Sequence, residues 1–370
     1  MKRLLLVSAV SAAFAAPGLA MAQAAPAVPT LDKVLEASGI SVSGYIDSAY
    51  THADHDIAGS GLVPRVFDNQ NNSFGLHQFG LTVAKQPKEG FGGVVNVTLG
   101  TDAQVIHSLP EATGGASSTF DVTQAYAQYA GGPLTVIMGK FATLQGTEVI
   151  APTGNTNFSR SILFGSVPFT HTGLRVTYTA SDTVSLTAGL NNGYDTVTDA
   201  NKGKMVELGA TLTPVKPLTI ALSALSGSEP VSATVNGTKT SFDAVATYTA
   251  TDALTLGLEY LSVSQENVGS PAIKAKFSGE ALYVTYMFNP KWRGVLRTEQ
   301  LSDKDGLRFG VADTKYNETT LTIAYLPNAS FELRGEVRKD SADKALYKEY
   351  DSATNSKSFT TLALEALYKF

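Results

Sequence analysis

The chain has 370 residues, a formal net charge of -5, 16% charged and 43% hydrophobic residues, and no cysteine. The absent thiols exclude disulfides, zinc–cysteine centres, iron–sulfur clusters and thiol nucleophiles, and the mild acidity gives no reason to expect a nucleic-acid partner. Past the amino-terminal segment no apolar run is long enough for a transmembrane helix, which leaves open a membrane-spanning β-barrel, whose apolar residues interleave with polar ones.

Lys2 and Arg3 precede an apolar run from Leu4 to Ala16, followed by the small-x-small sites Ala20-Met21-Ala22 and Ala22-Gln23-Ala24. This pattern predicts a secretory signal peptide over 1–22 with cleavage near 22–24. Removing Lys2 and Arg3 takes the formal charge from -5 to -7. Segment 25–39 is expected to hold one short helix between Pro29 and Gly39, with Thr30 as cap, Leu31, Val34 and Leu35 on one face, and Gly39 as terminator.

From Ile40 the chain repeats a unit of strand, tight turn, strand and long polar connection. Similar text recurs in Thr177 to Leu190, Thr211 to Leu225, Thr247 to Leu261, Thr285 to Gln300 and Ala324 to Lys339. Each reaches a turn of Ser-Asp, Val-Lys-Pro, Thr-Asp, Asn-Pro or Asn-Ala before alternation resumes. Earlier turns fit at Pro87-Lys88 and Gly131-Gly132. Longer connections fall near 52–72, 101–118, 142–167, 191–203, 227–238, 265–275, 302–313 and 341–357. Seven short turns and eight long loops predict sixteen strands, both ends of the barrel domain (40–370) on one side, and the short turns facing the periplasm.

Alternation also assigns the faces. Phe331, Leu333 and Val337 interleave with Glu332, Arg334, Glu336 and Arg338; Trp292 and Leu296 interleave with Arg293, Arg297 and Glu299. Leu174, Val176 and Tyr178 interleave with His171 and Arg175, and Leu258 and Tyr260 flank Glu259. An Arg or Lys on the lipid face at mid-bilayer costs about 2–4 kcal/mol, so the charged face, to which Asp47 is also assigned, should line the lumen. Lipid offers no partner for free backbone groups, so the sheet must close. At sixteen strands the interior is too wide for side chains to fill and holds water. Arg293, Arg297, Arg334 and Arg338 would form a basic ladder balanced by Glu299, Glu332, Glu336 and Glu365, a transverse field able to orient solutes. The third long loop, 142–167, is rich in apolar residues such as Val149, Ile150, Phe158, Ile162, Leu163 and Phe164, which suits packing against the inner wall. Glu148 and Arg160 are its candidates for a constriction facing wall arginines such as Arg175.

The stretches from Leu134 to Ile150 and Asn155 to Lys204 resemble the β-barrel porin-2 family, the OmpL-like porins, as do SGISVSGYIDSAY and the closing ALEALYKF. The resemblance covers Gly39 to Phe370 and implies a bacterial outer-membrane barrel with a channel function. The strand at Ser358 to Phe370, with its aromatic-x-Phe ending, is similar to the signal by which the barrel-assembly machinery recognises such proteins. By analogy with general porins the third loop folds inward and the chain forms a homotrimer. The expected partners are outer-membrane lipid and small hydrophilic solutes passing by diffusion, with no cofactor. The alternative is a non-conducting structural or adhesin-type barrel. Enzyme signals are weak: His171-Thr172-Gly173 lacks the serine of barrel phospholipases, and His52 and His55 in THADHD have loose metal spacing.

Overall fold

The computed structural model describes residues 30–57, 64–109, 118–199, 201–350 and 353–370. The expected signal peptide lies outside the described residues. Helix α1 (Leu31–Ser38) occupies the predicted place, and the Ser38 hydroxyl donates to the Leu35 carbonyl at 2.8 Å in its last turn.

In chain order the strands are β1 (Ser41–Ala53), β2 (Ser73–Lys85), β3 (Gly90–Leu99), β4 (Phe120–Gly131), β5 (Leu134–Ala142), β6 (Thr170–Ser181), β7 (Val184–Asn191) and β8 (Met205–Val215). They continue as β9 (Leu218–Pro230), β10 (Asn236–Thr249), β11 (Leu254–Val268), β12 (Ile273–Asn289), β13 (Trp292–Asp303), β14 (Thr314–Asn328) and β15 (Phe331–Ala342). Two-residue strands β16 (Tyr347–Lys348) and β17 (Asn355–Ser356) pair with each other, and β18 (Ser358–Lys369) follows. All but β16 and β17 form one closed antiparallel barrel of sixteen strands, in which β18 lies between β15 and β1. Short turns and longer connections alternate around most of it as the sequence predicts, although the connection 269–272 is no longer than the turn 250–253.

The side chains obey the alternation. Phe74, Phe91, Met138, Leu258, Leu362 and Leu364 are exposed on the outside, whereas Glu207, Glu259, Arg297, Glu318, Arg334, Arg338 and Glu365 are buried inside. Aromatic pairs Tyr286–Phe288, Trp292–Tyr325 and Tyr368–Phe370 sit at the short-turn end of the outer face, where a membrane interface favours amphipathic rings.

Two expected loops are shorter than the sequence suggests. The connection placed at 227–238 shrinks because β9 continues to Pro230 and β10 begins at Asn236. That placed at 265–275 shrinks because β11 runs to Val268 and β12 begins at Ile273. At this end of the barrel the outer face carries Ser226, Thr240, Ser262 and Ser264. There the outer face turns polar while Leu225, Leu261 and Val263 are buried inward, so the lipid-facing signal disappears although the backbone ladder continues. Helix α2 (Ala103–Ile106) and the β16–β17 hairpin, both inside long connections, are further elements without a period-two signal.

Candidate functional site: the lumen and its third loop

Residues 143–169 join β5 to β6 and turn into the barrel. An irregular segment enclosed by a barrel cannot satisfy its own backbone groups, so the wall must. Carboxylates on the wall take the amides. Gly146 donates to Asp243 at 3.0 Å and Thr147 to Glu259 at 3.1 Å. Phe158 and Ser159 donate to the two oxygens of Glu336 at 2.8 and 3.0 Å, and Ile162 and Leu163 to those of Glu299 at 2.6 and 3.1 Å. Arginines take the carbonyls. Arg334 donates to Asn155 at 2.9 Å and Asn157 at 3.1 Å, Arg297 to Ser159 at 2.7 Å, and Arg338 to Arg160.

The ladder residues thus face inward as predicted, but Arg297, Arg334 and Arg338 are covered, at 0, 1 and 1% exposure. Their remaining donors meet acids: Arg297 with Glu148 at 2.6 Å and Glu318 at 3.2 Å, Arg338 with Asp340 at 2.7 Å, Arg334 with Glu332 at 2.7 Å and Glu365 at 3.1 Å. Arg293 also pairs with Glu332. Asp47, buried on β1 at 3% exposure, lies opposite Leu367 of β18, two residues from Glu365.

The expected encounter of Glu148 and Arg160 with Arg175 does not occur. Glu148 accepts from Arg297 and, at 2.6 Å, from the Ser161 amide. Arg160 folds back onto its own loop, donating to the carbonyls of Val149 at 3.0 Å, Phe158 at 2.7 Å and Ile150 at 2.9 Å. Arg175 forms a two-pronged pair with Glu207 at 2.8 and 2.7 Å and lies 4.3 Å over the Phe141 ring. A guanidinium inside a loop finds unpaired carbonyls nearer than the far wall, and residue type alone does not reveal that. His171, fully buried, is held by the Gly193 carbonyl at 3.0 Å and the Thr143 hydroxyl at 3.2 Å.

Apolar packing completes the attachment. Ile162, Leu163 and Val167 join Leu261, Val263, Phe277, Leu301 and Phe359 of the wall, with Ile57, Phe309 and Tyr347 from other long loops, in one core. A second core unites Phe164 and Phe169 with Phe67 and Ile106. The first connection also enters the barrel: Arg65 pairs with Asp68 and, at 2.7 Å, with Asp340. Burial alone would raise the Asp68 carboxyl, yet Arg65 and Arg338 beside it hold it below its ordinary value. Arg65, Asp243, Glu318 and Asp340 belong to this network without having been singled out in the sequence. The last three sit at inward positions of strands, where alternation could have found them, while Arg65 lies in a loop that has no period.

Opposite this filled half, the wall carries neutral residues such as Thr123, Gln128, Thr187 and Ser223. Between it and the loop lies a cavity of ≈ 230 Å³, lined by Tyr45, Asn96, Thr123 and Gln124 on the wall and by Thr143, Gln145, Val149 and Phe164 on the loop. Above it, the second and fourth long connections meet at a Leu109–Thr196 bridge. Asp195 accepts from the amides of Phe169 at 2.8 Å and Thr170 at 2.9 Å, and burial pushes its carboxyl up to about 6.

The chain belongs to the family described as putative beta-barrel porin-2, OmpL-like. The family model matches residues 39–370. The protein is an outer-membrane porin, so the long loops face the outside of the cell and the short turns the periplasm. No curated protein matches the chain. Solved structures share the porin's fold at low identity. The outer-membrane channel DcaP of Acinetobacter baumannii aligns with a TM-score of 0.62 and 13% identity over 90% of this chain and 97% of that one. The anion-selective porin of Comamonas acidovorans gives 0.61 and 12% over 90% and 99%. OmpT of Vibrio cholerae in its trimer form gives 0.59 and 13% over 90% and 99%.

Proposed function

We propose that this porin passes small, uncharged or weakly charged hydrophilic solutes by diffusion along the β3–β9 side of its lumen, past the third loop. The supporting observation is the asymmetry of the interior: the arginine ladder is paired and covered, whereas the inner positions of β3 to β9 carry mostly hydroxyls and amides, with the closed Arg175–Glu207 pair among them. The wall arginines Arg175, Arg293, Arg297, Arg334 and Arg338 are each paired with a carboxylate, which leaves them little free field to offer an ion, so ion preference is weak. Single-channel recording in planar bilayers should give a small conductance with a reversal potential near zero in a salt gradient. Deleting Gln145 to Arg160 should raise that conductance several-fold. A strongly ion-selective current from the intact chain would overturn the reading.

The rival, a non-conducting structural or adhesin barrel, draws support from how far the loop reaches. Leu144 lies so close to β8 that a Cβ on Gly209 would meet it at 2.8 Å, and Gln78 of β2 donates to Ile150 at 3.1 Å. Absence of current before the deletion and its appearance afterwards would favour that rival. The signal peptide, recognition of the last strand by the assembly machinery, and assembly as a homotrimer belong to the same proposal. Catalysis does not. The His171–Thr143 contact has the length of a base–nucleophile pair, but the Thr143 hydroxyl also accepts the Gln145 amide at 3.2 Å and the ring is wholly buried. That arrangement clamps the loop's first residues.

A further inference from the structure

The outer face is apolar around most of the barrel, with an exception on β12 to β15. Glu280 on β12 and Lys339 on β15 point outward and are exposed; between them Gln300 of β13 donates to Asn317 of β14 at 2.7 Å. One step toward the periplasm Thr298 and Thr319 share a hydroxyl hydrogen bond at 3.2 Å. Depth decides what this means. Glu280, Thr298 and Thr319 each stand six residues above a ring of the periplasmic aromatic belt, Tyr286, Trp292 and Tyr325 respectively. At a rise of ~3.3 Å per residue and a tilt of ~40°, that is ~15 Å into an apolar band ~25 Å tall. The same count above Tyr368 on β18 reaches Leu362, which is 52% exposed. Glu280, Thr298 and Thr319 therefore lie where a neighbouring strand presents leucine to hydrocarbon, and Gln300, Asn317 and Lys339 stand two residues higher, with Lys339 opposite Thr360 of β18.

Acyl chains can fill a groove there but cannot bond a carboxylate or a carboxamide. A groove of ≈ 720 Å³ runs from β9 to β14 and takes in the Glu280 side of the patch, shaped by the small side chains of Ala244, Ala246, Thr298 and Thr319. We propose that a second copy of this chain covers the patch, about a symmetry axis normal to the membrane near β13 and β14. The charges choose this occupant. Glu280 stands on one flank of the patch and Lys339 on the other, so closed rotation of identical barrels sets each Glu280 beside a neighbour's Lys339. The amide and hydroxyl pairs between them then meet protein in place of lipid. The proposal rests on the homo-oligomer reading and locates its interface; it does not depend on conduction.

The chain has no cysteine, which makes the test direct. Glu280→Cys combined with Lys339→Cys cannot close within one barrel, because three strand spacings are ~14 Å, beyond the ~7 Å limit between disulfide Cα atoms. Mild oxidation of outer-membrane vesicles should link this double variant into covalent oligomers. Val95→Cys with Met138→Cys, exposed on the outer face of β3 and β5, should stay monomeric. In detergent, Glu280→Lys should weaken self-association at least about tenfold, and adding Lys339→Glu should restore it. Heat-modifiable migration on gels shows whether each variant still folds. Crosslinking through the Val95 and Met138 pair alone would overturn the interface and leave the oligomer standing. Monomers throughout, or glycolipid retained on the patch with no crosslink, would overturn the proposal.

Discussion

Arg297 concentrates the physics of the lumen in one side chain. It has no exposure, touches Glu148 and Glu318, and donates to the Ser159 carbonyl. Removing one member of such a buried set strands the others, at about 3–5 kcal/mol. Arg297→Met should therefore lower the thermal unfolding midpoint in detergent more than Glu336→Gln. The glutamine keeps one acceptor oxygen for the Phe158 and Ser159 amides and leaves the other amide facing an NH2 group, at about 1–3 kcal/mol. Equal losses would mean that the two sites are not tethers of different charge dependence. The same geometry changes what the double variant Arg334→Glu, Arg338→Glu should do. On an open wall it would shift the reversal potential toward cations. Beneath the loop it strips donors from the carbonyls of Asn155, Asn157 and Arg160. The first expected effect is a larger conductance, and a pure selectivity shift at constant conductance would contradict the covered position.

Among the elements, the attachment of the fourth connection to the end of the third carries a pH dependence. The Asp195 carboxyl, raised by burial to about 6, is ordinarily near ~3.9. A group raised on folding contributes stability that is full below the ordinary value and lost as pH rises through the folded one. Hydrogen exchange at the Phe169 and Thr170 amides, corrected for intrinsic rates, should be slower at pH 5 than at pH 7.5. Asp195→Asn should flatten that difference; if the contrast persists, another group carries it. Legibility also divides at this scale. Strands such as Phe331 to Arg338 were readable because lipid and lumen impose opposite demands on alternate positions. Beyond the bilayer the outer positions turn polar while apolar ones such as Val263 and Phe277 face inward, so the ends of β9 to β12 read as loop. The inward fold of the third loop was legible from Phe158, Ile162, Leu163 and Phe164. The partners of Arg160 were not, because they are carbonyls, which every residue carries. The polar patch around Glu280 was hidden for a different reason: one or two polar residues on each of four strands form a surface only once the register brings them side by side.

For the whole molecule, closure is the step on which every other feature depends, since an open sheet would leave unpaired backbone in lipid. The seam joins β1 to β18 from Tyr45–Lys369 to Ala53–Thr361. It is finished by a reciprocal pair in which Gly44 and Phe370 each donate to the other at 2.9 Å. The Phe370 ring lies over Gly44 so closely that a Cβ there would meet its Cζ at 2.4 Å, with the Gly80 carbonyl at 2.8 Å on another side. The ring could swing away, but the carbonyl belongs to β2 and cannot. Gly44→Val should therefore force the first rung of the seam apart while leaving the upper rungs intact. The expected outcome is a barrel that still inserts but loses its heat-modifiable gel shift at a temperature lower by several degrees, about 1–3 kcal/mol of overpacking strain. Phe370→Ala in the Gly44→Val background relieves the ring clash but not the carbonyl clash. It should recover only part of the loss; full recovery would show that the ring alone sets the seam, and no recovery that β2 does.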